Sequence, residues 1–298
     1  MRRLTIILLF VVGAVNAQQY SLPTQINRNR MYVNPAYAGS YEASVASLMH
    51  RSQWINVPGA LSFQNFEFHT PLKKQAIALG FQVRNESIGL KNNTEAFITY
   101  AHRIQLEKST LAFALKGGAQ SLSFKDPRLY EDEVDNAFLS NSTLLPNAGF
   151  GVSYYSAAYY FGLSVPYFFG VISPDGNSQV DFSVDRLNFV LSGGGSVRMS
   201  DDFKLEPVGA VTYSTTLKPQ ATLIINVRYL DSFVLGGGYR LNEGIIANAE
   251  YHMSKQFSIG YSYDYSLGDI GAFSSGSHEL GLLYYFGYKL NTISPRDF

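Results

Sequence analysis

The stretch Gln75-Ala76-Ile77-Ala78-Leu79-Gly80-Phe81-Gln82-Val83-Arg84 decides the fold. Its odd positions are Ile77, Leu79, Phe81 and Val83; its even positions are small or polar. A strand turns successive side chains to opposite faces, so this segment has one apolar face and one small or polar face. The period of two recurs. Leu111, Phe113 and Leu115 alternate with Ala112, Ala114 and Lys116, and Leu223, Ile225, Val227 and Tyr229 alternate with Thr222, Ile224, Asn226 and Arg228. Phe257, Ile259, Tyr261, Tyr263 and Tyr265 alternate with Ser258, Gly260, Ser262 and Asp264. Leu61 to His69 mixes its faces. Segments of about ten residues, the length of a tilted membrane strand, run from Glu42 to Tyr288.

These segments predict an all-β chain, a transmembrane antiparallel β-barrel of about 14 strands. The strands are expected at 42–51, 60–70, 75–84, 94–104, 109–121, 147–155, 157–166, 186–198, 203–215, 220–229, 233–241, 244–254, 256–266 and 277–288. An even count puts both ends of the wall on the periplasmic side, where turns are short. Short connections fall near Pro71 to Lys74, Gln105 to Lys108, Ser156, Ser200 to Asp202, Leu230 to Ser232 and Lys255. Surface connections are longer, at Ser52 to Gly59, Asn85 to Asn93, Lys125 to Pro146, Tyr167 to Asp185 and Leu267 to Gly276, with only Thr216 to Pro219 and Asn242 to Glu243 comparably tight. A soluble sandwich is the alternative, but its outer face would carry more Lys and Glu than the Gly, Ala and Ser found here.

Composition agrees. The 298 residues include 21 Tyr, 21 Phe and one Trp, while charged residues make up 15%, below the roughly 25% of a soluble domain. No apolar run beyond the N-terminus approaches the ~18 residues of a membrane helix. Balanced charge gives no case for nucleic acid, and the absence of Cys excludes thiolate metal sites, disulfides and a lipid-modified cysteine. At the N-terminus, Arg2 and Arg3 precede an apolar run from Leu4 to Val15 and a small-residue site ending at Ala17, the pattern of a cleaved signal peptide over residues 1–17. The expected organisation is then a periplasmic or lumenal segment at 18–41, a barrel at 42–288 and a tail at 289–298.

Chemistry-bearing patterns are sparse. His50, His69, His102, His252 and His278 lack metal-ligand spacing, and no G-x-S-x-G elbow or other nucleophile arrangement is present. No catalytic residue, metal or cofactor is expected, and the protein reads as a non-enzyme. The glycine triplets Gly193 to Gly195 and Gly236 to Gly238 suit barrel bends. The acidic run Asp126, Glu131, Asp132, Glu133 and Asp135 reads as a solvated loop, with a surface site for a divalent cation as the alternative. By parity, Arg84, Glu95, Arg103, Lys116, Lys204, Glu206, Arg228, Arg240, Glu250 and Asp264 face the lumen. Such mixed charge fits either salt-bridged filling or a hydrated interior.

Further patterns carry a resemblance. Asn34-Pro35-Ala36-Tyr37-Ala38-Gly39-Ser40 is followed by Arg51-Ser52-Gln53-Trp54, Thr70-Pro71-Leu72, Asn85-Glu86-Ser87-Ile88-Gly89 and Ser275-Gly276-Ser277-His278-Glu279-Leu280. In this order and spacing they resemble the PorP/SprF family of type IX secretion system membrane proteins, from about Gln18 to Tyr288. The resemblance implies a barrel in the outer membrane of Gram-negative, Bacteroidetes-type bacteria, in lipid contact, with a part in exporting or attaching large surface adhesins and in gliding. The partners it implies are the secretion translocon or periplasmic ring and motor proteins. It implies no catalytic residues. Longer relatives add a periplasmic peptidoglycan-binding domain, whereas here only Lys289 to Phe298 follows the last strand.

Locally, Asn34-Pro35 fixes a turn before the first strand, which fits a barrel-entry turn or a docking role. Trp54 in the first surface loop is an interfacial anchor or a cap on the lumen. The segment from Gln18 to Tyr41 is too polar for lipid and is expected to begin on the periplasmic side, lying in the lumen or beneath the mouth. Arg28, Arg30, Tyr32, Asn34, Pro35, Tyr37 and Trp54 are the candidate partner contacts. Two functions stand at this stage: a secretion accessory that binds cargo or translocon, and a passive pore for small solutes.

Overall fold

The computed structural model describes residues 22–41, 43–72, 76–124, 143–172, 179–182, 187–215 and 218–287. The expected signal peptide at 1–17, the tail at 289–298, the acidic run Asp126 to Asp135 and much of the two longest expected loops lie outside the described residues. Strands are β1 (Ser44–Ser52), β2 (Ser62–Leu72), β3 (Ile77–Ile88), β4 (Lys91–Gln105), β5 (Ser109–Phe124), β6 (Thr143–Ser156) and β7 (Tyr159–Val165). Then come β8 (Gly170–Ile172), β9 (Gln179–Asp181), β10 (Phe189–Gly195), β11 (Val197–Arg198), β12 (Phe203–Tyr213) and β13 (Gln220–Tyr229). The last four are β14 (Phe233–Arg240), β15 (Gly244–His252), β16 (Phe257–Ser266) and β17 (Ser277–Phe286).

Every wall strand pairs antiparallel with its sequence neighbour. β1 pairs with β17, Ser44 opposite Phe286, and β10 joins β7 to β12, so the sheet closes on itself as a 14-stranded barrel. β11 continues β10 past Ser196, and β8–β9 is a hairpin outside the wall. Closure leaves no edge along the ring, which a wall in lipid requires because each open backbone group would be unsatisfied.

The alternation sorts the faces. On β3, Leu79 and Phe81 point outward and are exposed, while Ala78, Gln82 and Arg84 point inward and are buried. Ile98, Leu115, Phe161, Leu223 and Leu235 extend the exposed apolar band. At the end with short turns, Phe203 packs on Tyr229 (centroids 4.9 Å apart) and Phe233 stacks on Tyr251 (4.8 Å), an aromatic girdle of the kind that marks a bilayer interface.

One expected loop is corrected. Asn85 to Asn93 is not a long loop: β3 runs on to Ile88, opposite Lys91 of β4, leaving Gly89-Leu90 as a two-residue hairpin turn. Gly89 takes φ 56°, the first-position conformation a tight hairpin reserves for glycine.

The segment before β1 folds inside the barrel. Residues 22–41 form a turn, a short helix α1 (Arg30–Val33) and a 3-10 turn at Pro35–Tyr37, and nearly all are buried. The apolar side chains form three clusters with the wall. Leu22, Ile26, Tyr32 and Val33 pack on Met49, Phe63, Val190, Val208 and Ala210. Met31, Ala36, Tyr37 and Ala38 pack on Ala78, Ala101, Ala112, Ala114, Tyr155 and Tyr160. Tyr41 packs on Val45, Leu283 and Tyr285. These clusters give a polar-walled barrel a packed core.

The direction of this strap corrects the sequence expectation. Thr24 bonds Arg51, Arg240, Asp264 and Glu279, which lie at the long-loop ends of β1, β14, β16 and β17. Gly39 meets His69 and Arg103, toward the short-turn ends of β2 and β4. The described strap therefore starts at the long-loop mouth, not on the periplasmic side, and descends the lumen before β1 turns back up.

Candidate functional site

At the long-loop end the strap meets a cluster of buried charges. Arg51, 1% exposed, reaches Asp264 (2.6 Å) and Glu279 (3.3 Å), and Arg240 reaches Asp264 and Glu243 (3.2 Å each). The Thr24 hydroxyl sits among them, accepting from Arg51 (2.7 Å) and Arg240 (3.0 Å) and donating to Asp264. That uses its one donor and both lone pairs. The Thr24 and Gln25 backbone N–H groups each donate to a Glu279 carboxylate oxygen at 2.8 Å.

Lower down, the candidate contact residues turn to the wall. Arg28 bonds Glu250 (3.3 Å), the Ser258 hydroxyl (3.0 Å) and the Ser258 carbonyl (2.8 Å). Arg30 lies over the Tyr160 ring, 4.3 Å from its centroid. The Tyr32 hydroxyl accepts from Arg84 (2.9 Å), and its ring packs edge-on against Phe63. Asn34 caps the turn begun by Pro35, accepting from the Ala36 N–H, while its amide donates to the carbonyls of Val152 (2.9 Å) and Leu163 (3.2 Å). This approach needs glycine opposite: a Cβ at Gly162 would lie 2.5 Å from the Asn34 amide nitrogen and 2.8 Å from the Tyr37 hydroxyl. Tyr37 packs edge-on to Tyr160, and burial, then Tyr160, pushes its phenol pKa up. Gly39 takes φ 73° and receives Arg103 on its carbonyl (2.5 Å).

The wall charges are largely paired among themselves. Arg84 bonds Glu95 (3.1 Å) and Glu86 (3.3 Å), and Tyr167 donates to Glu95 (2.6 Å). Lys116 lies 4.4 Å from the Phe97 ring centroid and 4.6 Å from that of Tyr167. Arg228 grips Glu206 with two bonds (2.7 and 3.0 Å) and donates to the His252 ring. Lys204 reaches Asp231 (2.9 Å) in the short turn after β13. Paired charges and packed side chains thus occupy the lumen, and the arrangement holds a chain segment in place.

Trp54 stands apart from the lumen group. It lies half-buried in the β1–β2 connection at φ 50°, its N–H donating to Ser277 (3.1 Å). That connection is joined to the β16–β17 connection by two backbone bonds, Ile55 N–H to Gly276 O (2.8 Å) and Ser275 N–H to Ile55 O (3.0 Å). The separate sequence runs Arg51 to Trp54 and Ser275 to Glu279 therefore meet above the head of the strap. Parity missed Thr24, Arg51, Glu67 and Glu279 as buried polar groups. In β1 the inward set Val45, Ser47, Met49 and Arg51 mixes apolar and polar side chains, and the outward set puts His50 beside Leu48, so the face contrast that marks other strands is lost. Among the described residues no His, Asp or Glu grouping is arranged to hold a metal ion.

The chain is similar in structure to the Acinetobacter baumannii outer membrane protein Omp33, at 6% identity over 82% of this chain and 98% of that one, with a TM-score of 0.49. It is similar to a Pseudomonas aeruginosa FadL homologue at 10% identity over 85% and 93%, with a TM-score of 0.47. The KdgM porin matches at 8% identity over 81% and 99%, with a TM-score of 0.42. No curated protein matches the sequence. The family model described as type IX secretion system membrane protein PorP/SprF matches residues 15–284. This closed antiparallel barrel therefore resides in the outer membrane, and the chain belongs to the PorP/SprF family of type IX secretion system membrane proteins.

Proposed function

We propose that this barrel is a closed, non-catalytic accessory of the type IX secretion machinery, which assists export or surface attachment of large adhesin-type proteins by binding cargo or translocon partners, and so serves gliding. The observation that supports this reading is the strap: residues 22–41 fill the lumen with packed side chains and bonds to the wall. A passive pore needs a hydrated path, and buried ion pairs such as Arg228–Glu206 occupy the space where one would run. Burial of Arg28, Arg30, Tyr32, Asn34, Pro35 and Tyr37 gives them the task of holding the plug. Partner contact then falls to the loops, Trp54 among them. Reconstitution of the full chain in a planar bilayer tests this. Silence is expected, whereas steady ohmic conductance would favour the passive pore for small solutes. Affinity purification from native membranes should also retain secretion components.

A further inference from the structure

The two halves of the strap are held differently. In the lower half a charged group, Arg28, pairs with Glu250 of the wall, so withdrawal there strands buried charge. The head, Leu22 to Ile26, offers the wall only neutral groups: the hydroxyl and N–H of Thr24 and the N–H and amide of Gln25. The frame it touches is already paired without it, Arg51 with Asp264 and Glu279, Arg240 with Asp264 and Glu243. Departure of the head leaves no charge unpartnered, and water can replace each bond. The strap is continuous with β1 at the short-turn end, and the head lies at the opposite, long-loop mouth.

What the head covers is a shaped surface. Leu22 and Ile26 pack in an apolar cluster with Met49, Phe63, Val190, Val208 and Ala210 of the wall, and Tyr32 and Val33 of the lower strap form the floor of the same cluster. Between Leu22 and Ile26, Thr24 and Gln25 meet the carboxylates of Asp264 and Glu279. Arg51 and Glu279 stand at the bases of the two connections that are bonded to each other, so this frame is continuous with the outer face.

We propose that Leu22–Ile26 is a releasable head of the plug, and that the cradle beneath it is a binding site for an extended peptide of the same pattern, an aliphatic side chain at each end with hydroxyl and amide donors between. Resting on the reading of a plugged barrel, this gives the outward half of the lumen an occupant to exchange. A partner segment displaces the chain's own head while Asn34, Tyr37 and Gly39 keep the lower lumen shut.

The native chain has no Cys, so single variants report cleanly. Thr24→Cys in the full chain is exposed to a membrane-impermeant maleimide on intact cells, with Asn56→Cys in the outer loop as the accessible control. A capped synthetic peptide of Leu22–Asn27 should accelerate labelling several-fold by keeping the head out, and a scrambled peptide should not. A rate unmoved by the peptide overturns the site, whether or not the thiol reacts. If Thr24→Cys does not assemble, Leu22→Cys, outside the charged frame, gives the same reading. Failure of the plugged-barrel reading is seen separately, as steady conductance of the unmodified chain.

Discussion

Arg51 shows what one side chain does in this lumen. Its fork joins Asp264, Glu279 and Thr24, linking two wall strands to the strap. Removing one member of a buried ion pair costs about 3–5 kcal/mol, because the partner stays behind without its charge. Arg51→Gln should lower the unfolding free energy of the barrel, read from its urea transition, by an amount of that order, with a lower midpoint. Arg51→Lys should recover only part of it, since an ammonium lacks the planar fork that serves several acceptors at once. An unchanged midpoint for Arg51→Gln would show that Arg240 alone holds the frame. None of this was legible at Arg51 itself, because Val45 and Met49 share its inward face while His50 and Ser52 stand on the other, so β1 shows no contrast between faces. Arg84, by contrast, stands on a strand whose other face is Leu79, Phe81 and Val83, and its inward direction could be read from the sequence.

At the scale of the strand, the bilayer sets the rule. Ile98 lies in the interior of β4, outward and 65% exposed, whereas Leu106 lies in the short turn that follows. A cation at the bilayer midplane costs about 2–4 kcal/mol and near the interface about 0–1. Ile98→Arg should therefore depress the folded fraction on refolding into lipid vesicles, while Leu106→Arg refolds like the parent. Equal yields would place the lipid band elsewhere. The sequence disclosed most of the strands because lipid on one side and small or polar residues on the other enforce a period of two. It failed where that contrast disappears. The upper parts of β3 and β4 carry Asn85, Asn92 and Thr94, which bond across the pair at 2.8 Å and look like a loop. Leu61 to His69 mixed its faces because Phe63 points inward to pack on Tyr32 of the strap.

The whole molecule has a polarity that no local pattern encodes. The wall begins and ends at one mouth, since Ser44 lies opposite Phe286, yet the described strap starts at the other, beside Arg51, Arg240, Asp264 and Glu279. Direction is set by tertiary contacts, such as Gln25 with Glu279, 254 positions apart, and the strap residues that make them, Thr24, Gln25 and Gly39, are neutral. Period and composition are blind to such pairs. The consequence is a testable asymmetry between the two ends of the described chain. Short turns mark the periplasmic end of an outer-membrane barrel, so Leu22 lies toward the cell exterior and Phe286 toward the periplasm. An epitope placed just ahead of Leu22 should be detected by antibody on intact cells, and the same epitope in the Leu230 to Ser232 turn only after the outer membrane is opened. Both tagged chains must first show the compact, heat-sensitive mobility of a folded barrel. Detection of the turn epitope alone on intact cells would invert the barrel. Detection of neither, with both chains folded, would mean that the strap's leading end stays enclosed, and the releasable head would then lack its exit.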